Sequence, residues 1–295
     1  MTIFPRHKWI EHSVVAGGFG FLVFALVSRT RSIPLAAGVS LGVAVMLIAL
    51  FQEKYIRRFL LLKHPFPESW RRILVDRVRF YRLLSPEDRI RFEQDVMVFL
   101  SEQRIYGIRG QAVAEDIRVV IAASAATLGF GIESWEWPTM RDILVYPTGF
   151  DEDYSIDRSH HLTGIVHQQG PVIFSEEDLK MGYYASQTGY NVGLHEMAHV
   201  LDMADGAADG IPPGLSWMAT APWIRVMADR MQKLRKGECR KVLREYAGVN
   251  EAEFFAVAVE VFFEKPHILA ESDPELFNLM RGYFRIDPRA PSRSP

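Results

Sequence analysis

The sequence predicts an α+β chain, mainly helical with a small sheet, preceded by a hairpin of two membrane-crossing helices. Three observations predict it. Two uncharged apolar runs, 13–28 and 33–51, open the chain. A His-Glu-x-x-His segment, His195 to His199, sits among Val192, Met197, Val200 and Leu201, the apolar character of a buried helix. Short β-rich segments touched by proline, 142–147 and 170–175, alternate with helix-start signals.

The chain has 295 residues, enough for one sizeable domain and an appendage. Its net charge of −2 argues against nucleic acid as a partner. One cysteine, Cys239, excludes an intrachain disulfide and is compatible with a reducing compartment.

Residues 1–63 read as the hairpin, with spans at about 10–28 and 33–51. The second run has 19 residues, roughly 28 Å of helix and close to the thickness of a bilayer core. The first reaches that length only if Trp9, Ile10 and His12 join it at the interface. Ser32 and Pro34 suit the second helix start. Gly38 and Gly42, four apart, offer a small-residue seam for packing the two helices together. Arg6, Lys8, Lys54, Arg57, Arg58 and Lys63 flank the hairpin, against Arg29 and Arg31 in its loop. That asymmetry places both ends, and the domain that follows, on the cytoplasmic side of the cytoplasmic membrane.

A domain is expected over 64–285, after the His64-Pro65-Phe66-Pro67 linker. Ser85-Pro86-Glu87-Asp88 reads as a helix start, with the helix running to about Gln103. A second helix is expected from about Ala112 to Leu128, stopped by Gly129 and Gly131. Residues 142–147 form a short buried strand. Pro171 demotes 170–175 to an edge strand or a strand start. Ser175 then caps another helix. His160, His161 and His167 are rivals for a third metal position, but in a loop rich in Asp and Ser they read mainly as solvated side chains, and 167–170 as a groove lining. Residues 286–295 read as a disordered tail.

The chemistry concentrates in 193–202. On a helix, His195 and His199 lie one turn apart on one face, so two imidazoles reach one metal ion. Glu196 can then serve as general base towards a water at an open coordination position. Gly206 and Gly210 end the segment in a turn. Asp202, three past His199, is either a partner to the metal ligands or a surface acid. A third ligand is expected from 246–263, where Asn250 caps a helix from about Glu251 to Phe263. Glu253 and Glu260 lie two turns apart on its face. In so apolar a helix each needs a metal or a paired cation, and spacing leaves the choice between them open. Glu251 belongs to the solvated first turn.

The segments HEMAHVLD, HQQGPVIFS, DILVYP and YAGVNEAEFFAVAVEVFF together resemble the Mlc titration factor A family of zinc metallopeptidases, over about 80–285. That family's core is similar to the catalytic domain of anthrax lethal factor. The resemblance implies a zincin-like domain, Zn²⁺ held by His195, His199 and Glu253, Glu196 as catalytic base, and Tyr246 beside the metal as a donor to the oxyanion. It implies peptide or protein substrates, with aminopeptidase-type activity among the expectations. The other expectation is a membrane-anchored protein that titrates a cytoplasmic transcription factor, with zinc in a structural part.

Overall fold

The computed structural model describes residues 6–29, 32–138, 142–149, 164–166, 170–184, 189–238 and 242–290. The chain divides into two compact units, Met1–Pro65 and Phe66–Pro295.

The first unit is a helical hairpin of α1 (Arg6–Val27) and α2 (Ile33–Leu61). Both helices are long and apolar enough to cross a membrane, with mean hydropathies of 1.8 and 2.4 over their apolar spans. Phe21, Leu22 and Leu41 point outward, an arrangement that suits lipid and not water. The helices meet along a different seam from the one expected. Gly38 and Gly42 have open space around them. The contact runs instead through Ala16 and Gly20 of α1 against Ala36, Ser40 and Ala44 of α2. A Cβ on Gly20 would stand 3.2 Å from both the Ala44 Cβ and the Ser40 carbonyl oxygen. The spacing of four is right, but it falls on residues one face round the helix. Beyond the apolar run α2 continues for another ten residues, with Glu53 and Arg57 paired at 2.6 Å on its surface.

The second unit begins with α3 (Glu68–Arg77), α4 (Arg79–Leu83) and α5 (Pro86–Glu102). The Ser85 hydroxyl accepts the Asp88 N–H at 3.1 Å, the cap the sequence anticipates. Next come β1 (Ile105–Gly107), α6 (Glu115–Gly129) and β2 (Ile143–Tyr146). α6 starts three residues later than expected, because Ala114 is extended and offers no side-chain cap. Gly129 is its last residue. Gly131 marks a close approach beyond it, where an added Cβ would stand 1.8 Å from the Phe284 carbonyl oxygen.

The strands β3 (Gly164–Val166) and β4 (Val172–Ser175) complete a four-stranded sheet of order β1-β2-β4-β3. β1, β2 and β4 run parallel, and β3 is antiparallel to β4. Of the two roles offered for Pro171, the strand start holds. Pro171 precedes β4, which lies inside the sheet with all four residues buried, and β3 is the outermost described strand on that side.

Helices α7 (Glu176–Tyr184), α8 (Val192–Asp202), α9 (Trp217–Arg235), α10 (Glu251–Glu264), α11 (Pro266–Ser272) and α12 (Pro274–Phe284) follow. α10 is the axis of the core. Ten consecutive residues, Phe254 to Phe263, are buried, so the helix is enclosed on every side. Phe262 packs on Phe277 and Phe284, Phe263 on Phe80, and Phe255 on Trp223. The packing extends past the expected start of the tail. Ile286 is buried, and the Arg289 guanidinium lies 4.6 Å over the Phe277 ring.

Candidate metal centre

Two capped helices build the site. The Asn191 side chain accepts the Leu194 N–H at 3.1 Å and starts α8. The Asn250 side chain accepts the Glu253 N–H at 2.8 Å and starts α10. α8 packs against α6, α7, α10 and the β3–β4 side of the sheet. Its approach to α6 depends on Gly193, where an added Cβ would stand 2.3 Å from the Ser124 hydroxyl.

With α8 and α10 in contact, three donors converge. His195 Nε2 is 3.2 Å from His199 Nε2 and 3.1 Å from Glu253 Oε2, and His199 Nε2 is 3.5 Å from Glu253 Oε1. All three side chains are mostly buried. Ligands at about 2.0–2.1 Å from a tetrahedral cation are about 3.3–3.4 Å apart, the spacing found here. Glu253 Oε2 is buried and has no hydrogen-bond partner despite its closeness to His195. A buried carboxylate oxygen without a donor fits a cation at the shared point. Two imidazoles and one carboxylate form a donor set that suits a divalent transition metal.

The ring of His195 is also oriented. Its Nδ1 lies 2.7 Å from Glu260 Oε1, which turns Nε2 to the centre; with a metal bound there, Nδ1 would keep the proton and donate it to Glu260. Glu260 is fully buried, and its other oxygen accepts the Asn191 backbone N–H at 2.6 Å. Arg244 donates to the same carboxylate and lies 4.8 Å over the Tyr190 ring. Glu260 thus stands behind His195, and of the two candidate carboxylates Glu253 is the one that faces both histidines.

Electrostatics follow from this crowding. Burial opposes charge on His195, but Glu260 and Glu253 overcome it and hold the imidazole well above its usual range. Burial disfavours the charged Glu253, yet its contacts with His195 and His199 hold it well below the usual carboxylate range. Burial raises Glu196, which is nearly inaccessible beside the two histidines. The Tyr246 ring lies 6.2 Å from the His195 ring and is half exposed. Partial burial and the Glu253 charge push its pKa up to about 12, so its hydroxyl is a donor at neutral pH.

Asp202 is not a surface acid. It is fully buried and accepts the Gly210 N–H at 3.1 Å. Burial lifts its pKa to about 7, against the pull of that hydrogen bond. Gly210 has a φ of +69°, and a Cβ there would meet the Glu251 carbonyl oxygen at 2.2 Å. Gly210→Ala is therefore expected to cost on the order of 3 kcal/mol or more, through left-handed strain and overlap with the start of α10. A fall in the urea midpoint measures it.

His160, His161, His167 and Cys239 lie outside the described residues. Glu251 is exposed in the first turn of α10, as expected.

The model of the glucose-regulated metallo-peptidase M90 family matches residues 52–285. The chain belongs to this family. Membership implies a metal, and the donors at 195, 199 and 253 are chemically suited to hold one. An uncharacterized protein of Synechocystis sp. is 31% identical over 240 residues, covering 77% of this chain and 87% of that protein. Mlc titration factor A of Serratia proteamaculans is 28% identical over 227 residues, covering 70% and 85%. The same-named protein of Klebsiella pneumoniae is 28% identical over 226 residues, covering 70% and 82%.

In this M90 chain, sequence reading missed Arg244 and the Asn191 backbone contact to Glu260. The signal for Glu260 was its isolation in an apolar helix, which called for a cation or a metal. The cation is 16 residues upstream and becomes visible only in the fold.

Proposed function

We propose that this M90 chain is a membrane-tethered zinc peptidase that hydrolyses peptide bonds, aminopeptidase-type substrates among them. One observation carries the reading: three donors at tetrahedral spacing, with a buried carboxylate outside that set, Glu196, in the same helical turn. Bound Zn²⁺ would supply Lewis acidity to a water and to the scissile carbonyl. His195, His199 and Glu253 would hold it. Glu196 takes the proton of the attacking water and delivers it to the leaving amine, a task its raised affinity for a proton favours. The Tyr246 hydroxyl donates to the developing oxyanion. β3, the outermost described strand on its side of the sheet, packs beside α8, where an extended peptide could pair with it.

The two apolar helices tether this domain to the cytoplasmic membrane as a multi-pass anchor, and the excess of basic flanking residues favours a cytoplasmic catalytic domain. The name Mlc titration factor A favours a second reading, a membrane-anchored protein that titrates a cytoplasmic transcriptional regulator around a structural zinc. The two separate in one assay. Full-length protein in detergent is incubated with a peptide mixture, with chelator, and with chelator followed by zinc. Peptidase function predicts cleavage that stops and returns. Absence of cleavage with zinc bound would leave the binding role.

A further inference from the structure

Glu260 is spent on contacts that no ligand set explains. It is the one carboxylate enclosed within the apolar α10, fully buried, and both its oxygens are engaged. Oε1 accepts from His195 Nδ1 at 2.7 Å and from the Arg244 guanidinium. Oε2 accepts the Asn191 N–H at 2.6 Å. Asn191 is also the residue whose side-chain oxygen starts α8 and whose side-chain amide donates to Glu264 at 3.1 Å. One carboxylate on α10 therefore fixes both the ring of a donor on α8 and the backbone that begins α8.

A buried charge without a cation is costly, and a half-buried Arg244 supplies the cation. Arg244 reaches Glu260 from just before the 3-10 turn Glu245–Gly248, which carries Tyr246. That turn is itself held to α9, where Arg235 donates to the Gly248 carbonyl oxygen at 2.7 Å. The chain between α9 and α10 thus enters the centre twice, once through Tyr246 on the open side and once through Arg244 behind His195.

We propose that Glu260 and Arg244 are positioning residues for the metal centre. Glu260 sets the aim of the His195 ring while clamping the start of α8 to α10, and Arg244 supplies the opposite charge against its buried carboxylate. This rests on the metal-centre reading above. The chemistry makes glutamine an informative replacement. Its carbonyl oxygen can accept from His195 Nδ1, but its amide then turns a donor towards the Asn191 N–H, or the reverse, so one of the two contacts is lost. Loss of such an outer hydrogen-bond partner typically weakens metal binding by about 10–100-fold.

The test is zinc affinity, by competition with a chromogenic chelator, on the full chain in detergent. Glu260→Gln is expected to bind zinc about 10–100-fold more weakly than wild type. Arg244→Gln should show a smaller loss of the same sign, with partial recovery in Arg244→Lys, which keeps the charge. Far-ultraviolet circular dichroism and thermal melting of the metal-free forms accompany each measurement. Arg244 is partly exposed, so its variants keep the test alive if Glu260→Gln does not fold. Wild-type affinity in folded Glu260→Gln, or in folded Arg244→Gln, overturns the proposal. His199→Ala separates the two layers. A wild type that binds no more zinc than His199→Ala removes the metal centre itself, whereas a clear gap between them with unaffected Glu260 and Arg244 variants removes only the positioning role.

Discussion

Glu196→Gln is expected to lower peptide hydrolysis by about 10²–10⁴-fold while leaving zinc content unchanged. The two effects separate because of where Glu196 stands. It lies between the two donors in sequence and is buried with them, but its carboxylate is not one of the three groups that converge. Glutamine has the same shape and removes only the ability to take a proton. Burial raises the pKa of Glu196, and the neighbouring histidines offset part of that rise. A base held nearer neutrality transfers a proton in both directions more readily than an ordinary carboxylate. Steady-state hydrolysis rates and metal analysis on the same preparation check both halves. Equal rates in the two proteins would remove Glu196 from the reaction.

Glu253→Ala is expected to abolish both zinc retention and hydrolysis. Two histidines remain, but the only anion among the converging donors is gone. The loss of affinity should therefore exceed the roughly 10–100-fold that an outer partner is worth. A pH dependence follows from the same charges. Burial disfavours the protonated His195, but Glu260 and Glu253 prevail, so the metal-free site holds a proton that the metal must displace. Zinc affinity of the wild type should fall as pH is lowered. In Glu253→Ala the proton is held less tightly, which by itself would ease metal entry. A weaker affinity in this variant at pH 8 as well as pH 6 therefore reports the lost donor and not the proton. Chelator competition at the two pH values measures it.

The parts of the fold that sequence made legible were those with a local cause. Ser85, Ser175 and Asn250 each accept an N–H at the helix start they announce. The segment 142–147 is β2, and the hydrophobic pattern of 251–263 is α10. Elements fixed by distant partners were not legible. β1 and β3 have three residues each, too few for an alternating pattern to show, and exist because β2 and β4 pair with them. α9 received no assignment, and Pro222 within it interrupts the helical signal. The hairpin seam was placed on Gly38 and Gly42 because glycine marks close approach, whereas the contact uses Ala36, Ser40 and Ala44 against Ala16 and Gly20.

The site divides in the same way. His195, Glu196 and His199 are visible because one helical turn brings them together. Glu253 and Glu260 could not be told apart by spacing, since residues seven apart share a face. What distinguishes them is the tertiary contact of α10 with α8, which turns Glu253 towards both histidines and puts Glu260 behind one of them. Asp202 looked equally suited to the surface or the site, and its burial against Gly210 follows from the turn that Gly206 and Gly210 permit.

The most direct measurement is the zinc content of the full-length protein and of Glu196→Gln, His199→Ala and Glu253→Ala, purified identically and analysed by elemental mass spectrometry. Three donors converging on one point predict one zinc ion per chain in the wild type and in Glu196→Gln, and a near-zero content in the other two. Zinc retained in Glu253→Ala at the wild-type level, or absent from the wild type after zinc loading, would contradict the account.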